Sequence, residues 1–141
     1  MARCVLPLGT MGVGRLEDMR AYQHARAFKS EVYALVRASP EANGDFKYRS
    51  QLFESAASAE VNIAEGWHRF GAGEIAQFLR YSRASLQEAQ HRLRDGVDRG
   101  YFTVEACGPA LDHADKCGAA TVAWWKSLQP FIKKPRERRT P

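Results

Sequence analysis

At 141 residues, with 45% hydrophobic and 26% charged side chains, the chain has the size and balance of one globular domain. It is too short for two, too apolar for intrinsic disorder, and without a run near the roughly 20 apolar residues of a membrane-spanning helix. Of the net charge of +5, Lys133, Lys134, Arg136, Arg138 and Arg139 against Glu137 carry +4, which leaves the rest of the chain at +1. Cys4, Cys107 and Cys117 are widely spaced and form no CxxC, so reduced thiols and a cytoplasmic protein are expected, not a disulfide framework or a zinc site.

In chain order, residues 1–15 are expected to be a flexible lead-in. "VLPLG" is too short and too broken for a secretory core, and "GTMGVG" follows no strand and lacks the Lys-Ser/Thr of a P-loop. Residues 16–132 have apolar positions at helical spacing nearly throughout. The first helix is predicted from the cap residue Asp18 to Ala38, with Ala21, Ala25, Phe28, Val32 and Leu35 inward, and "SPEANGD" breaks it. The second runs from Phe46 to His68. "FGAGE" turns into the third, Glu74 to Asp98, with Ile75, Leu79, Ser82, Leu86, Ala89 and Leu93 inward.

The fourth helix is predicted from Val104 to Phe131, with Val104, Cys107, Leu111, Ala114, Gly118, Thr121, Trp125 and Leu128 on one side and its first turns distorted by Gly108-Pro109. Adjacent Trp124 and Trp125 project about 100° apart, so one of them belongs at the core's edge or on a partner surface. The fold class is therefore all-α, an antiparallel up-down-up-down four-helix bundle, followed by a basic disordered tail over 133–141.

Two patterns invite a functional reading. Gln51, Ser55, Ser58, Asn62, Glu65 and Arg69 follow alternating steps of four and three, which makes one polar stripe on the second helix. Ser85, Glu88, Arg83 and Arg92 on the third can meet it. The stripe either locks helix register through buried hydrogen bonds or lines a binding site. The second pattern is Glu-x-x-His, at Glu65/His68 and again at Glu88/His91, the spacing of di-metal carboxylate bundles. In an antiparallel hairpin these motifs are offset by about 16 Å along the axis, whereas paired metals sit about 4 Å apart. No metal and no cofactor is therefore expected. Cys107 and Cys117 have no histidine near them in sequence, and His24 and His113 read as surface or edge residues.

"LEDMRAYQHARAFKSEVY" and "SQLFESAASAEVNIAEGWHRFGAGEIAQFLRYSRASLQEA" resemble the opening helix and hallmark stretch of the bacterial four-helix-bundle family named for the intervening-sequence protein of 23S ribosomal RNA genes. Asp18, Gln23, Ala25, Val32 and Tyr33 carry the first match. Ser50, Gln51, Ala56, Ser58, Asn62, Ile63, Ala64, Glu65, Gly66, Arg69, Glu74, Phe78, Leu79, Ser85 and Glu88 carry the second. The resemblance implies an antiparallel bundle, similar to members that form homopentameric rings and have no established enzymatic activity, and the chain is expected not to be an enzyme. It also implies kinship with retroelement accessory proteins that bind a reverse transcriptase and nucleic acid. Phe53 and Glu54 stand where many relatives have an Arg pair, and Glu60 stands where Pro is common, so the body of this bundle is less basic than theirs.

Two function classes are open. One is a nucleic-acid-binding or ribonucleoprotein accessory bundle, with RNA or DNA phosphates held by Arg69, Arg80, Arg83, Arg92, Lys133, Lys134, Arg136, Arg138 and Arg139. The other is a protein-interaction scaffold, a ring of bundles whose aromatic surface docks a partner and whose basic tail is incidental; Gln51, Ser58, Asn62, Glu65, Ser85 and Glu88 are read as the structural polar stripe. Partners under these readings are further copies of the chain, RNA or DNA, or a protein such as a reverse transcriptase, away from any membrane.

Overall fold

The computed structural model describes residues 14–134, and no strand occurs among them. A 3-10 turn, Leu16–Asp18, leads into α1 (Arg20–Ala38). Helices α2 (Pro40–Gly44), α3 (Phe46–Trp67), α4 (Ala72–Asp98) and α5 (Val104–Leu128) follow, and a second 3-10 turn covers Gln129–Phe131.

The four long helices stand where the apolar periodicity puts them, with local corrections. Asp18 caps nothing: it closes the 3-10 turn, and Met19 precedes α1 without a side-chain cap. The "SPEANGD" break contains a helical turn of its own. Ser39 Oγ accepts from the Ala42 N–H at 3.3 Å, and Pro40 occupies the first position, where its missing N–H costs nothing. Asp45 then caps α3 by accepting from the Tyr48 N–H at 3.1 Å. Helix α4 begins at Ala72, two residues before the expected start, and α5 runs through Pro109 without a break.

Phe28, Val32, Leu52, Ile63, Ile75, Leu79, Leu93 and Leu128 are fully buried, each contributing about 1.5–3 kcal/mol through apolar burial. On α5 the inward row is Cys107, Ala110, Ala114, Cys117, Thr121, Trp124 and Leu128. Leu111, Gly118 and Trp125 flank it, and Val104 is exposed. The expected row is partly out of phase because Ala, Gly and Thr give the helix little hydrophobic contrast. In α1, likewise, Val36 is inward and Leu35 only half-buried.

The principal contacts are α3 with α4, α1 with α5, α1 with α3, and α4 with α5, a closed circuit of four helices. Gln51 meets Arg92 and Ser58 meets Ser85; Lys29 meets Glu60 and Tyr33 meets Phe53; Ala21 meets Cys117 and His24 meets His113; Arg80 meets Trp125 and Leu86 meets Gly118.

Two glycines set how closely the helices approach. A Cβ on Gly66 would lie 3.3 Å from the Phe78 Cβ, and one on Gly96 would collide with the Tyr48 hydroxyl and the Phe102 ring. At the end of α4, Gly100 has φ +81°. The Gly100 N–H donates to the Val97 carbonyl and the Tyr101 N–H to the Gly96 carbonyl, the paired bonds of a Schellman stop, which favours glycine in the left-handed position.

Candidate functional site

The polar stripe of α3 faces α4. Ser58 and Ser85 hydroxyls lie 2.8 Å apart, and Asn62 Nδ2 donates to the Ser58 carbonyl at 2.9 Å and to its hydroxyl at 3.0 Å. Arg92 donates to Gln51 Oε1 at 2.8 Å and to Glu88 Oε1 at 2.9 Å. Buried Ser82 donates to the Ala59 carbonyl at 2.6 Å. A crevice of about 360 Å³ between the helices is lined by Gln51, Glu54, Ser55, Ser58, Ser85, Glu88 and Arg92. Most of these groups already have a partner across the seam or on their own helix, as expected of a register lock. Arg83, considered as a partner for the stripe, instead lies on the flank of α4 that faces α5.

The basic residues separate into two sets. Arg92 is half-buried and committed to Gln51 and Glu88. Arg69, Arg80 and Arg83 lie toward the other end of α4, where α3 turns back and α5 finishes. Arg80 and Arg83, with Lys126, Leu79, Thr121, Val122 and Trp125, line a recess of about 470 Å³. Its lining holds three cations and no carboxylate, and Arg83 and Lys126 also line the adjoining recess, which contains Asp115. The Arg80 guanidinium lies 5.8 Å from the centre of the Trp125 ring. The Arg69 guanidinium pairs with Glu65 at 3.2 Å and lies 4.6 Å from the Phe78 ring centre, with Phe78 edge-on to exposed Tyr81. Lys133 and Lys134 are exposed beyond the second 3-10 turn, which itself packs on α4. Arg136, Arg138 and Arg139 lie outside the described residues.

Of the tryptophans, Trp124 is the inward one, edge-on to Trp67 at 6.2 Å between ring centres, and Trp125 is the edge residue beneath Arg80. Lys126 escapes a reading of the sequence. A single lysine carries no signal until Arg80 and Arg83 are known to face it across the α4–α5 seam.

Among the described residues no group of three or more His, Cys, Asp or Glu side chains is arranged to hold a metal ion. The Glu-x-x-His carboxylates turn away from their histidines, Glu65 to Arg69 and Glu88 to Arg92. Burial pushes the Cys107 thiol up and the Cys117 thiol up to about 11, so both are protonated and poor nucleophiles near neutrality. His24 and His113, read singly as edge residues, meet across the α1–α5 seam with their Nδ1 atoms 3.1 Å apart.

The family model for the 23S rRNA-intervening sequence protein matches residues 17–122. The chain belongs to the 23S rRNA-intervening sequence protein family. The match includes the whole polar stripe together with Arg69, Arg80 and Arg83. Trp125, Lys126 and the basic tail of this 23S rRNA-intervening sequence family member follow the matched span. A comparison with curated proteins returns no match. No helix among the described residues is long and apolar enough to cross a membrane.

Proposed function

We propose that this member of the family is a non-enzymatic, self-associating protein, an antiparallel up-down-up-down bundle that binds RNA or DNA at the Arg80 end. The observation that carries this reading is the recess in which Arg80, Arg83 and Lys126 converge with no carboxylate among its lining residues. Cations so placed neutralise phosphates and release counterions, and the neighbouring exposed Tyr81 offers a ring face to an unpaired base, while Trp125 and Phe78 back the arginines that lie over them. Lys133 and Lys134, with the tail beyond them, add sequence-independent charge. Affinity therefore falls steeply with salt and discriminates little between sequences. The absence of catalysis rests on the protonated thiols and on carboxylates already tied to arginine.

Binding of labelled single-stranded RNA and DNA to the full chain, and to a chain ending at Ile132, tests this at about 50 mM and at higher salt. No binding by either chain at the lower salt ends the proposal. A salt-steep full chain beside an inert shortened one moves the activity to the tail.

A protein-interaction scaffold is the second reading. The exposed Phe46, Val61, Phe70, Tyr81, Val104 and Phe131 favour it, since such side chains suit a partner surface, whether of further copies or of a protein such as a reverse transcriptase. The family resemblance sets the expected ring at five copies, and light scattering should then return five times the mass of one chain. A monomer would remove the ring.

A further inference from the structure

His24 on α1 and His113 on α5 are 89 residues apart in sequence, yet their Nδ1 atoms face each other at 3.1 Å and their ring centres are 5.4 Å apart. Two nitrogens bound to one zinc-sized ion by bonds of about 2.05 Å sit about 3.3 Å apart at the tetrahedral angle and about 2.9 Å apart at a right angle. The observed separation falls between these values, so the pair already has the nitrogen spacing of a bidentate metal site, and rotation of the two rings would turn both lone pairs onto one ion beside the N···N line. Both rings are only half-buried, which leaves a path for an ion.

In the metal-free pair one neutral ring must donate its Nδ1 hydrogen to the lone pair of the other. A cation between the rings takes both lone pairs, and the displaced hydrogen moves to the outward Nε2 of its own ring, so no proton is released. The charges facing the pair are Arg20 on α1 and Lys116 and Asp112 on α5. Asp112 favours a cation there, although it is paired with Lys116 at 2.9 Å, while Arg20 and Lys116 oppose one.

We propose that His24 and His113 form an open two-histidine site for a borderline divalent transition ion of the zinc, nickel or copper class. Imidazole nitrogen selects these ions over magnesium or calcium. No third protein ligand completes a cluster among the described residues, so water or an outside donor fills the remaining positions. The bound ion ties α1 to α5, the pair that closes the circuit of four helices.

Ni²⁺ alone, added to the full chain without a histidine tag, is the probe. The sequence has four histidines, and imidazole nitrogen NMR resolves them. One equivalent of Ni²⁺ should broaden the His24 and His113 signals and leave those of His68 and His91 sharp. In calorimetric titrations His24→Gln and His113→Gln should each weaken binding at least about tenfold, no less than the low end of what even an outer-shell partner is worth. A His68→Gln/His91→Gln double variant should bind as the wild type does. Broadening centred on His68 or His91, unchanged affinity in both single variants, or no heat and no broadening with the wild-type chain would each overturn the proposal. The NMR experiment needs no substitution, so a variant that folds poorly leaves it intact.

Discussion

The Tyr48 hydroxyl, buried at the start of α3, donates to the main-chain carbonyl of Arg92 at 2.6 Å, joining two helices at a point where α4 has no side chain to offer. Gly96, one turn further on, leaves the space that this hydroxyl and the Phe102 ring occupy. Tyr48→Phe should cost about 1–2 kcal/mol, the loss of one buried bond and the desolvated carbonyl it leaves. Gly96→Ala should cost more, because its methyl meets both groups. In the double variant the cost should fall short of the sum, since Tyr48→Phe deletes the hydroxyl and with it one of the two collisions. Urea denaturation of all four proteins measures it.

Acid should loosen the same corner. Asp45 accepts from the Tyr101 hydroxyl at 2.6 Å, from the Tyr48 N–H at 3.1 Å and from Arg99 at 3.4 Å. The Tyr101 bond, then the Tyr48 amide, holds its carboxyl below the ordinary 3.8. The folded state therefore favours the ionised form: its contribution is complete above about pH 4 and disappears as pH falls through the lowered value. Wild type should exceed Asp45→Asn in urea midpoint at pH 7, and the two curves should converge as pH falls through the lowered value.

The arginines separate by role. Arg83→Glu and Lys126→Glu should weaken RNA binding and lower the salt slope by about one for each phosphate left without its cation, with little change in thermal midpoint. Arg92→Ala should do the reverse, leaving Gln51 and Glu88 without their shared donor. Binding isotherms at three salt concentrations, with melting curves on the same samples, distinguish the two patterns.

Among the cysteines, Cys107 and Cys117 should be silent in the native protein. Both are buried, and Cys117 lies 3.4 Å from the Ala21 carbonyl. An aromatic disulfide reagent at pH 8 should label at most Cys4 without denaturant and all three thiols once the chain is unfolded.

The adjacent tryptophans should differ in stability. Trp124→Ala removes a buried ring packed on Trp67 and should cost about 3–5 kcal/mol. Trp125→Ala removes an edge residue and should cost about 1 kcal/mol, while weakening RNA binding through the loss of the ring beneath Arg80. Denaturant titration and the binding assay together check both halves.

Much of this architecture is legible in the sequence because α1 and α4 have strong contrast between their apolar and polar faces. Every inward residue expected on α4 is inward, and the stripe from Gln51 to Glu65 marks one face of α3, while Arg69 falls just past the helix end at Trp67. Helix α5 is harder to phase, since Ala106, Ala110, Ala114, Gly118 and Ala119 look alike to any hydrophobicity pattern. The small helix α2 is hidden in what reads as a turn, because Ser39 and Pro40 signal a stop and a start equally well. At the candidate site, Arg80 and Arg83 are recognisable as basic, but nothing local distinguishes them from Arg92. Their difference arises from what α3 and α5 bring against them. The meeting of His24 with His113 is a purely tertiary fact, 89 residues apart in sequence.

Asp45 accepts hydrogen bonds from the Tyr48 N–H in the first turn of the helix it caps and from Tyr101 in the turn between α4 and α5, so two connections distant in sequence share one carboxylate. That end of the bundle is stitched shut, while Tyr81, Trp125 and the cations of the recess gather toward the other. The molecule is thus polar along its length, and any strand or neighbouring subunit that grips it has a built-in sense of which way it points.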